Sequence, residues 1–299
     1  MKIAILSRAK TYEVLSMKIE AQKRGHLVDI LDPKDLVFSV INNQFKIFLD
    51  SGIDLLEYEA YIPRYFGITV TSNNKKNSKS LIVKYLLDNN KIVLDKIEGE
   101  RLGGTGKIYS FSKYIGENIP LIPTLFSYHL ENLNFIEEQC KSLNISAPYI
   151  LKDINGAQGR NIFKIETLKE VKEILKENPS VYFMLQPYIE FKNDLRILVL
   201  GGKILGVMDK IHSEDNFKGN ISQGAIGKNF IITDDIKDIV YKSYFTNKAD
   251  FVGIDIGVWK NSLYLLEVNR SPQFQGVDKY LGINVAQEII KYLEYQYIL

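Results

Sequence analysis

Residues 253–272 read GIDIGVWKNSLYLLEVNRSP, and they contain two apolar segments separated by a short polar turn. Apolar residues that flank a polar turn in this way are typical of a β-hairpin. We predict strands at Gly253–Trp259 and Ser262–Asn269, joined by a three-residue loop, Lys260–Ser262. This hairpin decides how the rest of the chain is interpreted, because its polar residues predict a functional site.

The predicted hairpin brings two carboxylates together. Counting back from the loop puts Asp255 opposite Glu267, with Asn269 on the same face of the sheet. The Cβ atoms of such a pair lie about 5 Å apart, and the two charges repel each other. A divalent cation removes that repulsion, and oxygen donors at this range suit Mg²⁺ carrying a phosphate. A loop one residue longer or shorter would separate the two carboxylates, and two solvated acids are the alternative.

Length and composition indicate a globular protein with more than one domain. The chain has 299 residues, of which 45% are hydrophobic and 25% charged, which excludes wholesale disorder. The 38 basic and 36 acidic residues give a net charge of +2, so composition favours neither nucleic acid nor an anionic membrane as a partner. The single cysteine, Cys140, cannot form an intrachain disulfide, which favours a reducing compartment.

No segment of the sequence is long and apolar enough to be a membrane span or a signal peptide. The most apolar stretch, Arg196–Met208, is interrupted by glycine and lysine, whereas a spanning helix needs about 20 apolar residues. The first strand has only four apolar residues before polar ones follow. The sequence therefore predicts a soluble cytoplasmic protein. Its three scattered histidines form no His/Cys metal motif; they are His26, His129 and His212.

The first 95 residues alternate short apolar strands with helical patterns, which predicts a parallel α/β sheet. The predicted elements are strands Ile3–Leu6, His26–Leu31, Ala60–Arg64 and Ile92–Leu94, and a helix at Thr11–Lys23. The polar segment 71–80, TSNNKKNSKS, is predicted to be a loop. The glycine-rich segment 98–107, EGERLGGTGK, is predicted to be a linker.

Strands dominate the remainder of the chain. Those expected before the hairpin are Tyr149–Asp153, Asn161–Glu166, Tyr182–Pro187, Asp194–Leu200 and Lys203–Ile211. The helices expected between and after the strands are Leu168–Glu177, Asp235–Tyr244 and Ala286–Tyr297. This arrangement predicts an α+β region behind the N-terminal α/β sheet.

Two glycine-bearing segments each carry a lysine. Residues 103–107, GGTGK, lack the P-loop pattern, because Arg101 stands where the first glycine belongs and Ile108 where Ser or Thr belongs. Residues 152–161, KDINGAQGRN, place a lysine at a strand end before a turn in which glycines allow backbone N–H groups to approach an anion. An ordinary linker and an ordinary hairpin turn are the alternatives for the two segments.

The order of these segments resembles the ATP-grasp family. A lysine with a glycine loop is followed along the chain by five short motifs. In order, they are Q-P-Y-I at 186–189, D-L-R at 194–196, F-K-G-N at 217–220, G-I-D at 253–255 and E-V-N-x-S-P at 267–272. The chain is most similar to RimK-type ligases, which add glutamate to a carboxyl terminus, and to the related LysX-type enzymes. Further similarity lies in segments 1–8, 24–33 and 62–64.

The resemblance implies an N-terminal Rossmann-like pre-ATP-grasp domain and two α+β subdomains that hold ATP between them. The implied boundaries are 1–97, 98–185 for the central and lid subdomain, and 186–299 for the C-terminal subdomain. The implied ligands are ATP and Mg²⁺, with Mn²⁺ as an alternative and two metal ions in the site. The implied partners are a carboxylate substrate and an amine, one of them a peptide or protein in some members, and a homodimer or homotetramer is an open alternative.

The resemblance also implies roles for individual residues. For the phosphates, these are Lys107, Lys152 and the lid Gly156–Gly159, which includes Gln158. For the nucleoside, Gln186, Pro187 and Tyr188 bracket adenine, and Asp194 lies near the ribose. At the γ-phosphate, the residues are Lys218 and Asn220, of which Lys218 is also a catalytic candidate with Arg196, which stabilises the anionic intermediate. The implied metal ligands are Asp255, Glu267 and Asn269.

The sequence departs from the family pattern at several positions. They are Gly106 in place of Asp, Pro187 in place of Glu, Lys218 in place of Arg, Gln223-Gly224-Ala225 in place of Arg-Gly-Gly, and Arg270 in place of a small residue. The missing arginine at 223 puts glutamate as the substrate in doubt. Arg270 either binds a substrate carboxylate or forms a surface ion pair.

The function expected from the resemblance is an ATP-dependent carboxylate–amine ligase. It would form an amide bond through an acylphosphate, adding a glutamate-like amino acid to a peptide, protein or small acid. Three alternatives remain open from the sequence: a peptide macrocyclase of the same fold, a kinase acting on a hydroxyl, and a nucleotide-binding module without catalysis.

Overall fold

A computed structural model of the chain describes residues 1–64, 66, 74–96, 106–128, 130–156, 161–211 and 226–299. Its strands are β1 (Lys2–Leu6), β2 (Leu27–Leu31), β3 (Leu36–Ile41), β4 (Gln44–Leu49), β5 (Ala60–Pro63), β6 (Ile92–Val93), β7 (Leu125–Phe126), β8 (Tyr149–Asp153), β9 (Ile162–Ile165), β10 (Phe183–Pro187), β11 (Asn193–Leu200), β12 (Lys203–Ile211), β13 (Ile226–Asn229), β14 (Phe251–Trp259) and β15 (Ser262–Asn269). Its α-helices are α1 (Tyr12–Lys23), α2 (Asn74–Asp88), α3 (Gly106–Ser112), α4 (Leu133–Ser142), α5 (Lys169–Glu177), α6 (Asp234–Asn247), α7 (Gln275–Leu281) and α8 (Val285–Ile298).

The N-terminal sheet is parallel, as the alternation of strands and helices predicts. Its strand order is β2-β1-β5-β6. The side chains of β1 are almost all buried, because helices or strands cover both faces of such a sheet. Two antiparallel sheets follow in the chain, one of four strands in the order β7-β10-β8-β9 and one of five in the order β13-β12-β11-β14-β15.

The five-stranded sheet is apolar on both faces at one end and charged on one face at the other. Ile197 and Val199 of β11 pack towards α6, whereas Leu198 and Leu200 pack towards α1, α7 and α8 together with the N-terminal sheet. Side chains alternate along a strand, so Arg196 lies on the same face as Leu198. One face of β11 therefore joins the N-terminal sheet through its apolar half and presents charge through the other half.

The structure contradicts the loop that was predicted for part of segment 71–80. Helix α2 begins at Asn74 and runs to Asp88, so the loop expected from the polar run is wrong for residues 74–80, and residues 71–73 lie outside the described part. The helix is fixed by its later residues, because Ile82, Val83 and Leu86 are fully buried against the N-terminal sheet. A polar first half is compatible with a helix whose apolar face comes from its second half.

A second hairpin, β3–β4, was not anticipated. Its two central residues, Asn42 and Asn43, both have positive φ, 51° and 58°. Asparagine tolerates this conformation, and two such residues make the tight turn that suits a two-residue hairpin. The Asn-Asn pair was the available sequence signal. The predicted linker is also modified, because α3 begins at Gly106, while residues 98–105 lie outside the described part.

Among the described residues, no helix has the length and apolarity required to cross a membrane.

Candidate active site

The β14–β15 hairpin pairs Asp255 with Glu267, as predicted, but through a different turn. Trp259 pairs directly with Ser262, so the connection has two residues rather than three. A regular two-residue hairpin would place Leu266 opposite Asp255. The register shifts between Asp255 and Ile256, so that Leu266 is the extra residue of a β-bulge. The bulge restores the pairing that the shorter turn would have broken.

Asn269 lies two residues beyond Glu267 and pairs with Gly253. Because side chains alternate, Asn269 and Glu267 share a face of β15. A Cβ added at Gly253 would come within 2.7 Å of Pro272, so the glycine allows the segment after β15 to cross close to β14. The three residues predicted as metal ligands therefore lie in one corner of the five-stranded sheet.

Asp255 of this corner belongs to a group of four charged side chains, which we call the central charge cluster: Asp194, Arg196, Lys210 and Asp255. Arg196 donates two hydrogen bonds to Asp255, from Nε at 2.5 Å and from Nη2 at 2.7 Å. Lys210 Nζ lies 2.7 Å from Asp194 Oδ1 and 3.7 Å from Asp255 Oδ1. Three adjacent strands, β12, β11 and β14, supply the four residues, which produces two interlocked ion pairs.

Burial makes these ion pairs strong. The exposed fraction of the four side chains ranges from 7% at Asp255 to 18% at Arg196. Burial by itself lowers the pKa of Arg196, but the combined effects of Asp255, Glu267 and Asp194 outweigh burial and leave the pKa above its ordinary value. Within the cluster the charges balance, and the neighbouring Glu267 adds one further negative charge. Glu267 in turn faces Lys107, and the carboxylate oxygens of Asp255 and Glu267 are the negative groups available to a metal ion.

The donor set fits Mg²⁺. Asp255, Glu267 and Asn269 offer carboxylate and amide oxygens, which are the ligands that Mg²⁺ prefers. Both oxygens of Asp255 already accept hydrogen bonds from Arg196, yet each carboxylate oxygen has a second lone pair. Among the described residues, no group of three or more His, Cys, Asp or Glu side chains could hold a metal, so the set depends on the amide of Asn269.

Lys107 meets Glu267 across a small cavity between α3 and β15. The cavity has a volume of about 240 Å³, and Lys107, Gly156 and Glu267 are among the residues that line it. The Lys107 side chain donates a hydrogen bond to the carbonyl oxygen of Gly156. Burial lowers the pKa of Lys107; Lys152 lowers it further, whereas Glu267 acts in the opposite direction. Two lysines that repel each other at the edge of a cavity would bind a phosphate favourably.

The end of β10, which was predicted to bracket adenine, is held in place by hydrogen bonds to neighbouring segments of the protein. Gln186 is only 4% exposed, and its Nε2 donates to Thr124 Oγ1 at 2.8 Å. The Tyr188 amide donates to the Pro148 carbonyl at 2.8 Å. Pro187 pairs with Tyr149 on the next strand. The Gln186 side chain is therefore held within the protein, and the contact of this segment with adenine stays a prediction.

Four predicted site residues lie outside the described part of the chain: Gln158, Gly159, Lys218 and Asn220.

Arg270 makes a contact that differs from both roles expected of it, which were binding a substrate carboxylate and forming a surface ion pair. It is half-buried, and its Nη2 donates to the carbonyl oxygen of Asn247 at 2.8 Å. Asn247 is the last residue of α6, where carbonyl groups lack helical partners and a cation is favourable.

Three further charged residues connect the N-terminal part to backbone groups before and after the β14–β15 hairpin, and we call them the junction cluster: Glu13, Arg64 and Asp95. Arg64 Nη2 donates to the Pro272 carbonyl at 2.8 Å, and Glu13 Oε1 accepts from the Phe274 amide at 3.2 Å. Asp95 Oδ1 accepts from the Asp250 amide at 3.0 Å. All three side chains thus bond to backbone groups of the C-terminal part.

Sequence reasoning missed Lys210 and the acids of the junction cluster. Lys210 lies in a mostly apolar strand and has no characteristic spacing. Its position within the run KILGVMDKI was the only signal, because a lysine is rarely buried without a partner. Arg64 was noted only as part of the segment Ile62-Pro63-Arg64.

Comparison with known proteins matches this chain to two family models. Residues 106–293 match the RimK-like ATP-grasp domain, and residues 1–75 match the RimK PreATP-grasp domain. A probable alpha-L-glutamate ligase of Haemophilus influenzae (strain 86-028NP) is 28% identical over 306 residues, covering 98% of this chain and 97% of the relative. The ribosomal protein bS6–L-glutamate ligase of Escherichia coli O139:H28 is 27% identical and covers 98% and 96%.

Solved structures share the same fold over almost the whole chain. The ATP-grasp ligase PsnB in complex with a minimal precursor has a TM-score of 0.75 and 16% identity, covering 99% of this chain and 98% of that one. The macrocyclase MdnC from Microcystis aeruginosa, bound to its precursor peptide MdnA, has a TM-score of 0.71 and 15% identity, covering 98% and 99%. At these identities the likeness concerns the fold alone.

Proposed function

The chain belongs to the RimK-like ATP-grasp family, an ATP-dependent ligase family that forms C–N bonds, and on that premise we propose that it joins a glutamate-like amino acid to a carboxylate of a peptide, protein or small acid. The observation that carries the site assignment is the pairing of Asp255 with Glu267, with Asn269 beside them. Lys107 faces the same Glu267 across the cavity. This arrangement supports a phosphate site at Lys107 next to a metal site at Glu267.

The chemistry explains why such a site needs charge more than a nucleophile. A carboxylate is a poor acyl donor because its oxygen is a poor leaving group. Transfer of the γ-phosphoryl group of ATP to the carboxylate gives an acylphosphate and ADP. Attack by an amine then forms the C–N bond and releases phosphate. Both steps are accelerated by positioning and by stabilising negative charge.

The chain's residues have distinct proposed roles in these steps. Lys107 and Lys152 bind the phosphates of ATP, and Asp194 lies at the ribose. Arg196 stabilises the anionic intermediate, and its two hydrogen bonds to Asp255 fix the plane of the guanidinium. Mg²⁺, held by Asp255, Glu267 and Asn269, would neutralise the charge of the transferring phosphoryl group. Lys218 and Asn220 at the γ-phosphate, and Gln158 and Gly159 in the lid, complete the proposed set.

The finer features of the proposal rest on the family resemblance. They are two metal ions in the site, domain boundaries at residues 97 and 185, adenine held by the backbone of segment 186–188, and a cytoplasmic location. A homo-oligomer is compatible with all of them. Manganese would substitute for magnesium at the same oxygen donors.

Glutamate ligation is favoured over peptide macrocyclisation by the sequence relatives. The probable glutamate ligase from Haemophilus influenzae is 28% identical over almost the full chain, whereas the macrocyclase MdnC is 15% identical. The absence of arginine at position 223, where this sequence has Gln223, favours an amino acid that differs from glutamate in its side chain or an altered contact to it.

Product analysis with Mg-ATP tests the proposed function. Purified protein is incubated with pools of amino acids and acidic peptides, and ADP, AMP and phosphate are quantified. We expect ADP and phosphate to rise only when a carboxylate acceptor and an amine are both present, with a mass increase in the acceptor. Glu267→Gln is the matched inactive control. ADP formed with a hydroxyl compound alone, or AMP with pyrophosphate, would contradict the proposal.

A further inference from the structure

Lys210 is the one member of the central charge cluster that has no role in the proposed reaction. It is 9% exposed and lies near the end of β12, between Asp209 and Ile211. Its ammonium group lies 2.7 Å from Asp194 and 3.7 Å from Asp255. A buried lysine without partners is strongly unfavourable. These two carboxylates are therefore the reason that the charge is tolerated, and the lysine is the group that connects them.

Both carboxylates contact the ammonium group of Lys210, and each also has partners other than this lysine. Asp255 has Arg196 as a bidentate partner and would keep a neutralising cation without the lysine. Asp194 has Lys210 as its ion-pair partner, and its own backbone N–H donates to Asp209 at 3.2 Å. Loss of the ammonium group would remove the cation that contacts both carboxylates, so the repulsion between Asp194 and Asp255 would increase. The expected consequence is a movement of Asp194 away from its present position.

We propose that Lys210 is a positioning residue that fixes the distance between Asp194 and Asp255, and thereby between the ribose and metal ends of bound ATP. This inference rests on the proposed function, in which these two carboxylates serve the ribose and the metal. A buried ion pair of this kind is often no more stabilising than apolar residues of the same volume. The presence of this ion pair is explained by the positions in which it holds Asp194 and Asp255 rather than by a gain in stability.

The test measures nucleotide binding without any acceptor. Titration calorimetry gives the Kd of the non-hydrolysable analogue Mg-AMPPNP and the Mg²⁺ concentration for half-maximal binding, and thermal unfolding gives Tm. For Lys210→Met we expect at least a tenfold rise in Kd and a higher Mg²⁺ requirement. Lys210→Arg retains the charge and is expected to stay within about threefold of wild type.

Lys203→Met is the matched control. Lys203 lies on the same strand but is 72% exposed, in a surface pair with Glu288 at 3.3 Å, so we expect an unchanged Kd. Lys210→Gln serves where the methionine variant does not fold, because its amide retains a donor for Asp194 but carries no charge. We expect it also to weaken binding and to raise the Mg²⁺ requirement.

A folded Lys210→Met or Lys210→Gln protein with wild-type Kd and wild-type Mg²⁺ requirement, and only a lower Tm, would overturn the inference. Wild-type protein that binds Mg-AMPPNP but ligates no acceptor would contradict the proposed function alone. Wild-type protein that does not bind the analogue would remove the roles of both carboxylates and the inference with them.

Discussion

The central charge cluster and the junction cluster both bury charge, but they neutralise it differently. In the central cluster, each carboxylate meets a cationic side chain within 2.7 Å. In the junction cluster, the charged groups instead bond to backbone amides and a carbonyl of the segments around Asp250 and Pro272. One region therefore pairs charges with charges, and the other uses charges to hold backbone.

The pKa values of two junction residues reflect this difference. Among the described residues, Asp95 Oδ2 has no hydrogen-bond partner, and Asp95 is 4% exposed. Burial raises the pKa of Asp95 to about 6, against the opposing effects of the Asp250 amide, Arg270 and Lys79. Burial likewise lowers the pKa of Arg64 to about 10. The junction is therefore a region that should make folding depend on pH.

Breaking the central cluster is expected to have the largest effect. Asp255→Asn leaves Arg196 buried without its charged partner and should lower the free energy of unfolding by about 3–5 kcal/mol. Urea unfolding measures it. Glu13→Gln in the junction is the matched comparison, because the amide oxygen still accepts from the Phe274 backbone; it should cost about 1 kcal/mol. Equal losses in the two variants would erase the distinction between the clusters.

Glu267→Gln separates chemistry from stability at the edge of the central cluster. Removing one negative oxygen donor should reduce turnover at least about 100-fold, which corresponds to roughly 2.7 kcal/mol of transition-state stabilisation. Steady-state kinetics with Mg-ATP measures it, and unfolding in urea should change little. Near-normal turnover would remove Glu267 from the metal site. Glu288→Gln, on the surface of α8, is the control and should retain wild-type turnover.

Asp95→Asn tests the junction through its pH dependence. Because the folded-state pKa of about 6 lies above the ordinary 3.8, the folded protein binds the proton more tightly, and stability falls as pH rises between about 4 and 6. The asparagine variant should lack this contribution and be more stable than wild type at pH 7.5, by on the order of 2 kcal/mol. Unfolding curves at pH 4.5 and 7.5 measure it. A pH-independent difference between the two proteins would contradict the expectation.

Lys152→Ala tests whether ATP binding depends on groups outside both clusters. Lys152 pairs with Met184 on the neighbouring strand, and its loss should raise the KM for ATP about tenfold, or roughly 1.4 kcal/mol. Lys172→Ala, exposed on α5, is the control of equal charge change. An unchanged KM in the Lys152 variant would remove this lysine from the phosphate site.

The sequence predicted the strands of the β14–β15 hairpin but not the details of its turn. The predicted pairing of Asp255 with Glu267 is confirmed, although it was derived from a three-residue loop that the structure does not have. The two-residue turn of the hairpin and the bulge at Leu266 could not be predicted, because one extra leucine in an apolar run leaves the local pattern unchanged. The fold class followed from the order of strands and helices. The resemblance to RimK-type ligases is confirmed by matches over residues 1–75 and 106–293.

Long-range partners account for what was missed. Lys210 is recognisable only when β11, β12 and β14 lie side by side. Similarly, α2 follows from the burial of Ile82 and Leu86 rather than from its polar first half. The junction cluster joins positions separated by more than 150 residues, and nothing local marks them. Local periodicity therefore predicts elements, whereas paired charges become visible only once the sheets are assembled.

Isotope transfer tests the central claim most directly. The carboxylate acceptor identified by product analysis is labelled with ¹⁸O, and the released phosphate is examined by mass spectrometry. Reaction through an acylphosphate predicts one ¹⁸O atom in each phosphate, a mass increase of 2 Da, with ADP as the nucleotide product. Unlabelled phosphate, or label appearing in AMP, would contradict the account.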